Sequence, residues 1–417
     1  MGFLSAASME SGSYQRGYEH IVRLHMLREL EEAVQRKFLV ALMVLMLMTG
    51  SPRLHISQTS FRTREPILNL RRVVLKLLPS SDELQKEQGK SWLQSAKAAR
   101  VAGHVQTADS SLLSASTFCL PSLCIERAKW MASQGDVHQA LISLQRAVSE
   151  QWPDGSSTVS DGGADRFIHA KALLLIGRWM EETAHYAANR AIQQYKEVTT
   201  LHGDWENGHF YLGKYYDKLM ANCTDGEEKS NKLSVDFIPF VLKHYGQSLQ
   251  FGNKFIYQSM PRLLTIWLDF GATVSDQGRQ TKASDRGGKR QKLMDFNEIM
   301  AELTNKLPAY QFLTAFSLLI SRICHTNQTV FHHLEEIIAK LLVTHPQQAM
   351  WMIMAVSKSS FAMRTKRCHQ IFHKATSRDG TLKKFLEHST RLTDRLLEVC
   401  NKEVSKGPNK DKLSHES

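Results

Sequence analysis

Residues 345–351 read His345-Pro346-Gln347-Gln348-Ala349-Met350-Trp351 and follow a stretch whose apolar residues recur at helical spacing. That preceding series repeats every three or four positions and consists of Val330, Leu334, Ile337, Ile338, Leu341 and Leu342. Pro346 has no backbone N–H and a fixed φ, so it ends one helix and suits the first turn of the next. The stretch therefore predicts two consecutive helices that meet near Pro346.

Other parts of the chain show the same helical spacing. An earlier apolar series comprises Phe312, Leu313, Phe316, Leu319, Ile320 and Ile323, and residues 324–327 after it predict a short turn. Further helices are predicted over residues 14–35, 208–220, 237–251 and 382–397, and the aromatic residues of 208–251 favour core packing over a ligand groove. The apolar side of the first of these helices is predicted to comprise Tyr14, Tyr18, Ile21, Val22, Leu24, Leu27 and Leu30.

An internal repeat begins near Trp92. An Ala-Lys pair precedes a glycine by seven residues three times, and these glycines are Gly103, Gly135 and Gly177. The first two copies lie 32 residues apart, and the third lies 42 beyond the second. Small residues before a glycine let two helices pack closely and turn, as in tetratricopeptide-like pairs. We therefore predict an all-α fold, an α-solenoid of tetratricopeptide-like or HEAT-like helix pairs.

Composition divides the chain into three predicted regions. Residues 1–60 hold an N-terminal helix and an atypical apolar insert, Phe38 to Met48, whose eleven residues are too few for the ~20 of a membrane span. We expect this insert to be either a buried helix or sequence foreign to the surrounding pattern, and we expect no membrane association. Residues 61–402 form the helical repeat region, and 403–417 form a polar tail that we expect to be disordered. Linkers are predicted near three segments within the repeat region: 153–165, 222–232 and 271–292.

The net charge of +12 is concentrated in two segments. Residues 276–292 hold six Lys/Arg against two Asp, and residues 361–412 hold thirteen Lys/Arg against six Asp/Glu. Such clusters attract nucleic acid or acidic partners. Neither has the interleaved aromatic residues of a single-strand stacking platform, which favours a solvated face and no direct sequence-specific nucleic-acid binding.

One triplet, Asp269-Phe270-Gly271, matches the magnesium-binding signature of protein kinases. A functional copy needs a catalytic loop and a phosphate-binding lysine on a strand, and the sequence shows neither. We therefore place the triplet at the end of a helix, with Gly271 as its C-terminal cap.

Metal-binding and redox motifs are also missing from the sequence. Cys119 and Cys124 lie five apart, but no second pair follows at zinc-finger spacing, and the histidines are scattered. Six cysteines without regular spacing favour reduced intracellular thiols. We predict no catalytic, cofactor-binding or metal-binding residues in this chain, and no cofactor of its own.

Several runs of residues resemble the FAT region of the phosphatidylinositol-3-kinase-related protein kinases, and within that family its ATR-type checkpoint kinases. They are Pro346 to Trp351 with Ser357-Lys358-Ser359, Gly208 to Leu212, Lys214 to Met220, Phe255 to Arg262 and Tyr310 to Phe316. The resemblance covers the chain from Ser13 to Lys402, except near residues 38–58.

This resemblance implies a non-catalytic helical scaffold that supports a serine/threonine kinase domain and contributes to dimerisation. The parent kinase would use ATP and magnesium, phosphorylate Ser or Thr followed by Gln, and act in the nucleus after DNA damage or replication stress. Its implied partner is the ATR-interacting protein. The 417 residues show no kinase domain, terminal FATC segment or N-terminal HEAT array, which leaves enzymatic activity of the chain itself uncertain. The alternative is a free-standing tetratricopeptide-like adaptor that binds peptides.

The purified chain should neither hydrolyse ATP nor phosphorylate a Ser-Gln peptide, because no phosphate-binding lysine or catalytic loop accompanies Asp269. Radiolabelled phosphate release and transfer would measure both activities. Turnover that survives rigorous purification and disappears in Asp269→Ala would overturn this prediction.

Overall fold

The computed structural model describes residues 13–38, 60–77, 81–153, 163–184, 186–223, 228–276 and 283–402. These residues form α-helices joined by turns, and none of them lies in a β-strand. The all-α prediction is confirmed. The predicted apolar insert beyond Phe38 and the predicted polar tail lie outside the described residues.

The described helices fall into two compact units, which divide the chain at His202 and Gly203. The first unit contains the helices α1 (Ser13–Phe38), α2 (Phe61–Leu77), α3 (Asp82–Val101), α4 (Val105–Ser116), α5 (Leu123–Ser133), α6 (Val137–Gln151), α7 (Ala164–Thr183) and α8 (Ala188–Leu201). The second contains α9 (Glu206–Asn222), α10 (Glu228–Phe251), α11 (Ile256–Asp276), α12 (Ala283–Lys306), α13 (Ala309–Leu313), α14 (Phe316–Ser321), α15 (Gln328–Thr344), α16 (Pro346–Ser357), α17 (Ala362–Arg378) and α18 (Leu382–Asn401).

Packing between helices that are neighbours in sequence dominates both units. In the first, α3 packs against α2 and α4, and α7 packs against α6 and α8. In the second, α10 packs against α9 and α11. Most of these helices thus bury an apolar face against a neighbour in sequence, as in repeat proteins, and the α-solenoid prediction is confirmed.

The turn of the repeat is made by glycine in the first two copies only. Gly103 and Gly135 follow α3 and α5 with φ of +80° and +101°, which residues with a Cβ rarely adopt. The third glycine, Gly177, instead lies inside α7, where an added Cβ would be 2.9 Å from Cε1 of Tyr195. The turn after α7 is made by Ala184 in the left-handed region (φ 53°). In the third copy of the sequence repeat, the glycine therefore allows two helices to pack closely and does not form the turn.

The segments predicted as linkers are shorter than their composition suggests. Near 271–292, α11 continues to Asp276 and α12 starts at Ala283. Gly271 is not a helix cap, because it lies within α11, where an added Cβ would be 2.7 Å from Cγ2 of Val330. Near 222–232, α10 already starts at Glu228. Small and polar residues here form helix ends and a close contact between helices.

The predicted apolar side of α1 is only partly buried. Three of its members are exposed, at 57%, 61% and 42%: Leu24, Leu27 and Leu30. Val22 and Met26 instead pack against Ile67 and Leu68 of α2. The periodicity correctly predicted the helix, but only the side that contacts α2 is covered.

The helix boundaries around α15 follow local chemistry. The Asn327 side chain accepts hydrogen bonds from the backbone N–H groups of Thr329 (3.0 Å) and Val330 (3.3 Å), which caps the start of α15. The helix ends at Thr344, and Pro346 occupies the first turn of α16. The predicted turn over 324–327 and the predicted break at Pro346 are both confirmed.

Replacing Gly135 tests the turn of the repeat. Gly135→Ala should lower the free energy of unfolding by about 1–3 kcal/mol through backbone strain alone, since nothing lies within 4 Å of the added Cβ. Amide hydrogen exchange should rise in α5 and α6 first, because repeats stabilise mainly their neighbours. Gly163→Ala is the matched control: it also has open space but a φ of −100°. Equal losses in the two variants would contradict the strain argument.

Candidate functional site

The kinase-like triplet has structural contacts at all three positions. Asp269 Oδ1 accepts a hydrogen bond from Nη2 of Arg322 at 2.8 Å. Phe270 is buried beside Phe296, with ring centroids 4.9 Å apart. Gly271 has no side chain, which leaves room for the side chain of Val330. The triplet therefore joins helices of the second unit.

Polar groups beside the triplet join the same helices. The buried Trp267 indole N–H donates to Oδ1 of Asn297 on α12 at 2.8 Å. Nε2 of His325 lies 2.8 Å from the Leu268 carbonyl, and Nδ1 of His325 lies 3.1 Å from the backbone N–H of Asn327. Since a carbonyl only accepts and an N–H only donates, Nε2 carries the hydrogen and Nδ1 accepts. These bonds position helices and leave no free acid or base.

A second polar cluster joins α9, α10 and α11. Both oxygens of Asp217 accept from the Arg262 guanidinium at 2.8 Å, and the Tyr245 hydroxyl donates to Oδ2 at 3.3 Å. Burial, and then the negative charge of Asp217, raise the pKa of Tyr245 well above its ordinary value. Bidentate pairing of this kind fixes the relative orientation of the two side chains, so we assign it the structural role of holding α9 against α11.

Two histidines meet between α9 and α10. Nε2 of His209 donates to the Gly203 carbonyl at 2.7 Å, and Nδ1 of His209 lies 3.2 Å from Nδ1 of His244. Burial lowers the pKa of His209 most, Lys243 lowers it further, and the Gly203 bond and Asp204 act against this. Neutral His209 accepts at Nδ1 from His244, because its only N–H points to Gly203.

Most aromatic residues of α9 to α11 pack in the core, as the sequence predicts, but Phe240, Phe251 and Tyr257 are exposed, at 45%, 39% and 76%. Phe210 and Phe255 are buried and stack in parallel with centroids 3.8 Å apart. Tyr216 is also buried and stacks beside Phe240 at 5.1 Å.

Within the described residues, no group of three or more His, Cys, Asp or Glu side chains is placed to hold a metal ion. The six cysteines are free thiols. Burial raises the pKa of the Cys368 thiol to about 11, so this sulfur is a weak nucleophile. No described helix is long and apolar enough to cross a membrane.

An open groove lies between α15 and α17. Its lining comes from one face of α17 and a single residue of α15: Lys366, His369, Gln370, His373, Lys374, Ser377 and Glu335. The opposite face of α17 is buried in the core and consists of Cys368, Ile371, Phe372 and Ala375. The sequence predicted a solvated basic segment here, and the helical spacing of 366, 370, 373 and 377 is the signal that could have placed its donors on one face.

Ion pairs hold the two sides of this groove together. Nζ of Lys374 lies 3.0 Å from Glu335 and 3.1 Å from Glu336, and Arg378 also pairs with Glu336. Burial acts to raise the pKa of Glu336, but hydrogen bonds from Arg378 and Lys374 lower it below its ordinary value. Both carboxylates of α15 are therefore occupied by α17.

Arg367 makes a different contact with α15. Its guanidinium carbon lies 3.4 Å from the ring centroid of Phe331, and its Nη2 donates to Oε1 of Gln328 at 3.3 Å. Burial lowers the pKa of Arg367. The aromatic face partly replaces the lost hydration of this cation.

These observations define a helical-repeat protein whose buried polar clusters are structural and whose open groove is basic. A family model of the FAT domain matches residues 1–265, and a model of "Serine/threonine-protein kinase ATR-like, HEAT repeats" matches residues 295–393. The chain belongs to the FAT domain family. The resemblance to the FAT region of ATR-type kinases is confirmed.

Known proteins align with this chain along most of its length. The serine/threonine-protein kinase ATR of Oryza sativa subsp. indica is 30% identical over 95% of this chain, and ATR of Drosophila melanogaster is 29% identical over 96%. The chain spans only 16% of the length of either relative. The solved structure of the FAT and kinase domain of CtTel1 aligns over 83% of this chain and 27% of that chain, with a TM-score of 0.58 and 14% identity. At that identity the likeness shows the fold alone.

Substitutions in the triplet distinguish packing from catalysis. Gly271→Ala should lower the free energy of unfolding by about 1–3 kcal/mol, because the methyl group would meet Val330. Asp269→Ala should cost less than about 1 kcal/mol, since its pair with Arg322 is largely exposed. Urea unfolding measures both.

Gly287→Ala is the control, because Gly287 lies in a helix with open space around it and alanine is the better helix former. It should be neutral or stabilising. A larger loss for Asp269→Ala than for Gly271→Ala would contradict the packing role of the triplet.

Proposed function

We propose that this chain is the FAT-type helical scaffold of an ATR-like serine/threonine checkpoint kinase, and that it supports a kinase domain. The observation that carries the proposal is the match to the FAT and ATR-like HEAT families in that order along one chain. In this proposal the assembly acts in the nucleus in the DNA-damage response, DNA repair and cell-cycle checkpoint control. Its kinase domain uses ATP and magnesium, its partner is the ATR-interacting protein, and the scaffold contributes to a dimer.

An exposed apolar face at the end of the described chain supports a docking role. In α18 only Leu382 is buried, while Leu392 is 52% exposed, Leu396 41% and Val399 71%. These three lie at positions i, i+4 and i+7 and therefore share one side of the helix. An exposed apolar side of a helix is typical of a surface that binds a protein partner.

Four aromatic and sulfur-containing residues near α17 and α18 are candidates for such an interface: Phe361, Met363, Phe372 and Phe385. Phe361 and Met363 are exposed, at 57% and 46%. Phe372 is buried in the core at 6% exposed, and Phe385 is half-buried. The proposed interface therefore includes the start of α17. It excludes Phe372, because the side chain of this residue is on the buried face of the helix.

A kinase domain supplied in trans tests the proposal. Purified residues 1–417 should self-associate, and an ATR-like kinase domain should bind them and raise their solubility, because α18 then covers its apolar face. Leu396→Asp should weaken this binding at least about tenfold, since it places a charge in a buried interface. Leu113→Asp, at a leucine of α4 that is 56% exposed, is the matched control.

Equal weakening by Leu396→Asp and Leu113→Asp would refute a docking role for α18. A chain that stays monomeric at high concentration and does not bind the kinase domain would favour the free-standing adaptor.

A further inference from the structure

The helix α17 carries only one sign of charge. Five of its side chains are cationic, and none of residues 362–378 is acidic: the five are Arg364, Lys366, Arg367, Lys374 and Arg378. Three of them face α15 and are used in contacts with it, namely Arg367, Lys374 and Arg378. Arg364 and Lys366 are exposed and have no partner within the described part of the chain.

The accessible face of α17 presents polar side chains in a line. Lys366, Gln370, His373 and Ser377 lie at positions i, i+4, i+7 and i+11, so they form one stripe along the groove. Lys366, Gln370 and His373 can each donate a hydrogen bond to a ligand. The Ser377 hydroxyl already donates its hydrogen to the His373 carbonyl at 2.7 Å and can only accept, and His369 stands beside the stripe. Neighbouring positions along such a stripe are about 5–6 Å apart, which is close to the spacing of about 6–7 Å between side chains on one face of an extended peptide.

We propose that the α15–α17 groove binds an acidic segment of a partner protein, with aspartate and glutamate side chains facing this stripe. Charge complementarity carries the proposal, because the two glutamates of α15 already pair with α17 and do not neutralise Lys366. Met363, three positions before Lys366 and 46% exposed, extends the same side of the helix with an apolar contact. This inference does not depend on the proposed kinase scaffold.

The lining favours a peptide over a nucleic acid. It contains no Phe, Tyr or Trp on which bases could stack, and Glu335 remains on one wall. Nucleic-acid affinity arises from many phosphate contacts, and this groove offers one unpaired lysine. A few carboxylates with intervening neutral groups fit that number of cations better.

Fluorescence anisotropy with a fluorescein-labelled oligoglutamate peptide tests the groove on the full chain at low and at physiological salt. Lys366→Glu should weaken binding about tenfold, because it removes one exposed ion pair and adds a repulsion of similar size. Gln370→Glu adds an acid to the stripe without removing a cation and should weaken binding about threefold. Lys86→Glu, at an exposed lysine of α3, makes the same charge change elsewhere and should have little effect.

Circular dichroism of each variant shows that the fold is retained. Equal weakening by Lys366→Glu and Lys86→Glu would overturn the proposal, because net charge alone would then explain binding. No binding at low salt would overturn it as well. Tighter binding of oligothymidylate of equal charge, lost in Lys366→Glu, would assign the groove to nucleic acid instead.

Discussion

The second unit depends on the close approach of α11 to its neighbours. Trp267 is fully buried and its indole N–H meets Asn297, so the two helices are held in one register. An unpaired buried donor would cost about 1–3 kcal/mol. One turn later, Gly271 removes a side chain and lets Val330 of α15 approach. The position of α15 in turn sets that of α17, because Glu335 and Glu336 pair with Lys374 and Arg378. Contacts in the core of the second unit therefore determine how α15 and α17, the two walls of the basic groove, are placed.

The first unit fixes its register with a buried charged cluster between α2 and α3. Arg72 donates to Oγ of Ser95 at 2.6 Å and to Oε1 of Glu65 at 2.5 Å, and its guanidinium lies 4.0 Å from the Trp92 ring centroid. The Ser95 hydroxyl donates to the other oxygen of Glu65 at 2.5 Å. Buried ion pairs contribute little net stability, but removing one partner is costly, so such a cluster selects one alignment of two helices.

The sequence predicted the helices well because their signal is local. Apolar spacing, the turn before α15 and Pro346 all act within a few residues. These predictions hold in the structure, except that the apolar series over 312–323 is divided between the two short helices α13 and α14. The roles of the glycines could not be read in the same way. Gly135 makes a turn through its positive φ, whereas Gly177 and Gly271 sit in helices where another helix comes close. Those roles depend on residues far away in the chain, such as Tyr195 and Val330. For the same reason, the pattern of α18 predicted an amphipathic helix without showing what covers it.

The charge of the groove depends on which basic side chains of α17 form contacts with α15, and composition does not reveal those contacts. A count of basic residues over 361–412 predicts a diffuse positive face, yet three of the five cations of α17 are used inside the unit. Among the five cations of α17, only Arg364 and Lys366 have no partner within the described residues, and both lie near the exposed Met363. The exposed side of α18 is apolar, and an apolar interface is strengthened, if anything, by salt, whereas ion pairs in an open groove weaken as screening increases. The exposed side of α18 would therefore bind a partner through hydrophobic contact, and the groove would bind one through ion pairs. A scaffold with both can hold one partner through hydrophobic contact while it exchanges another through charge.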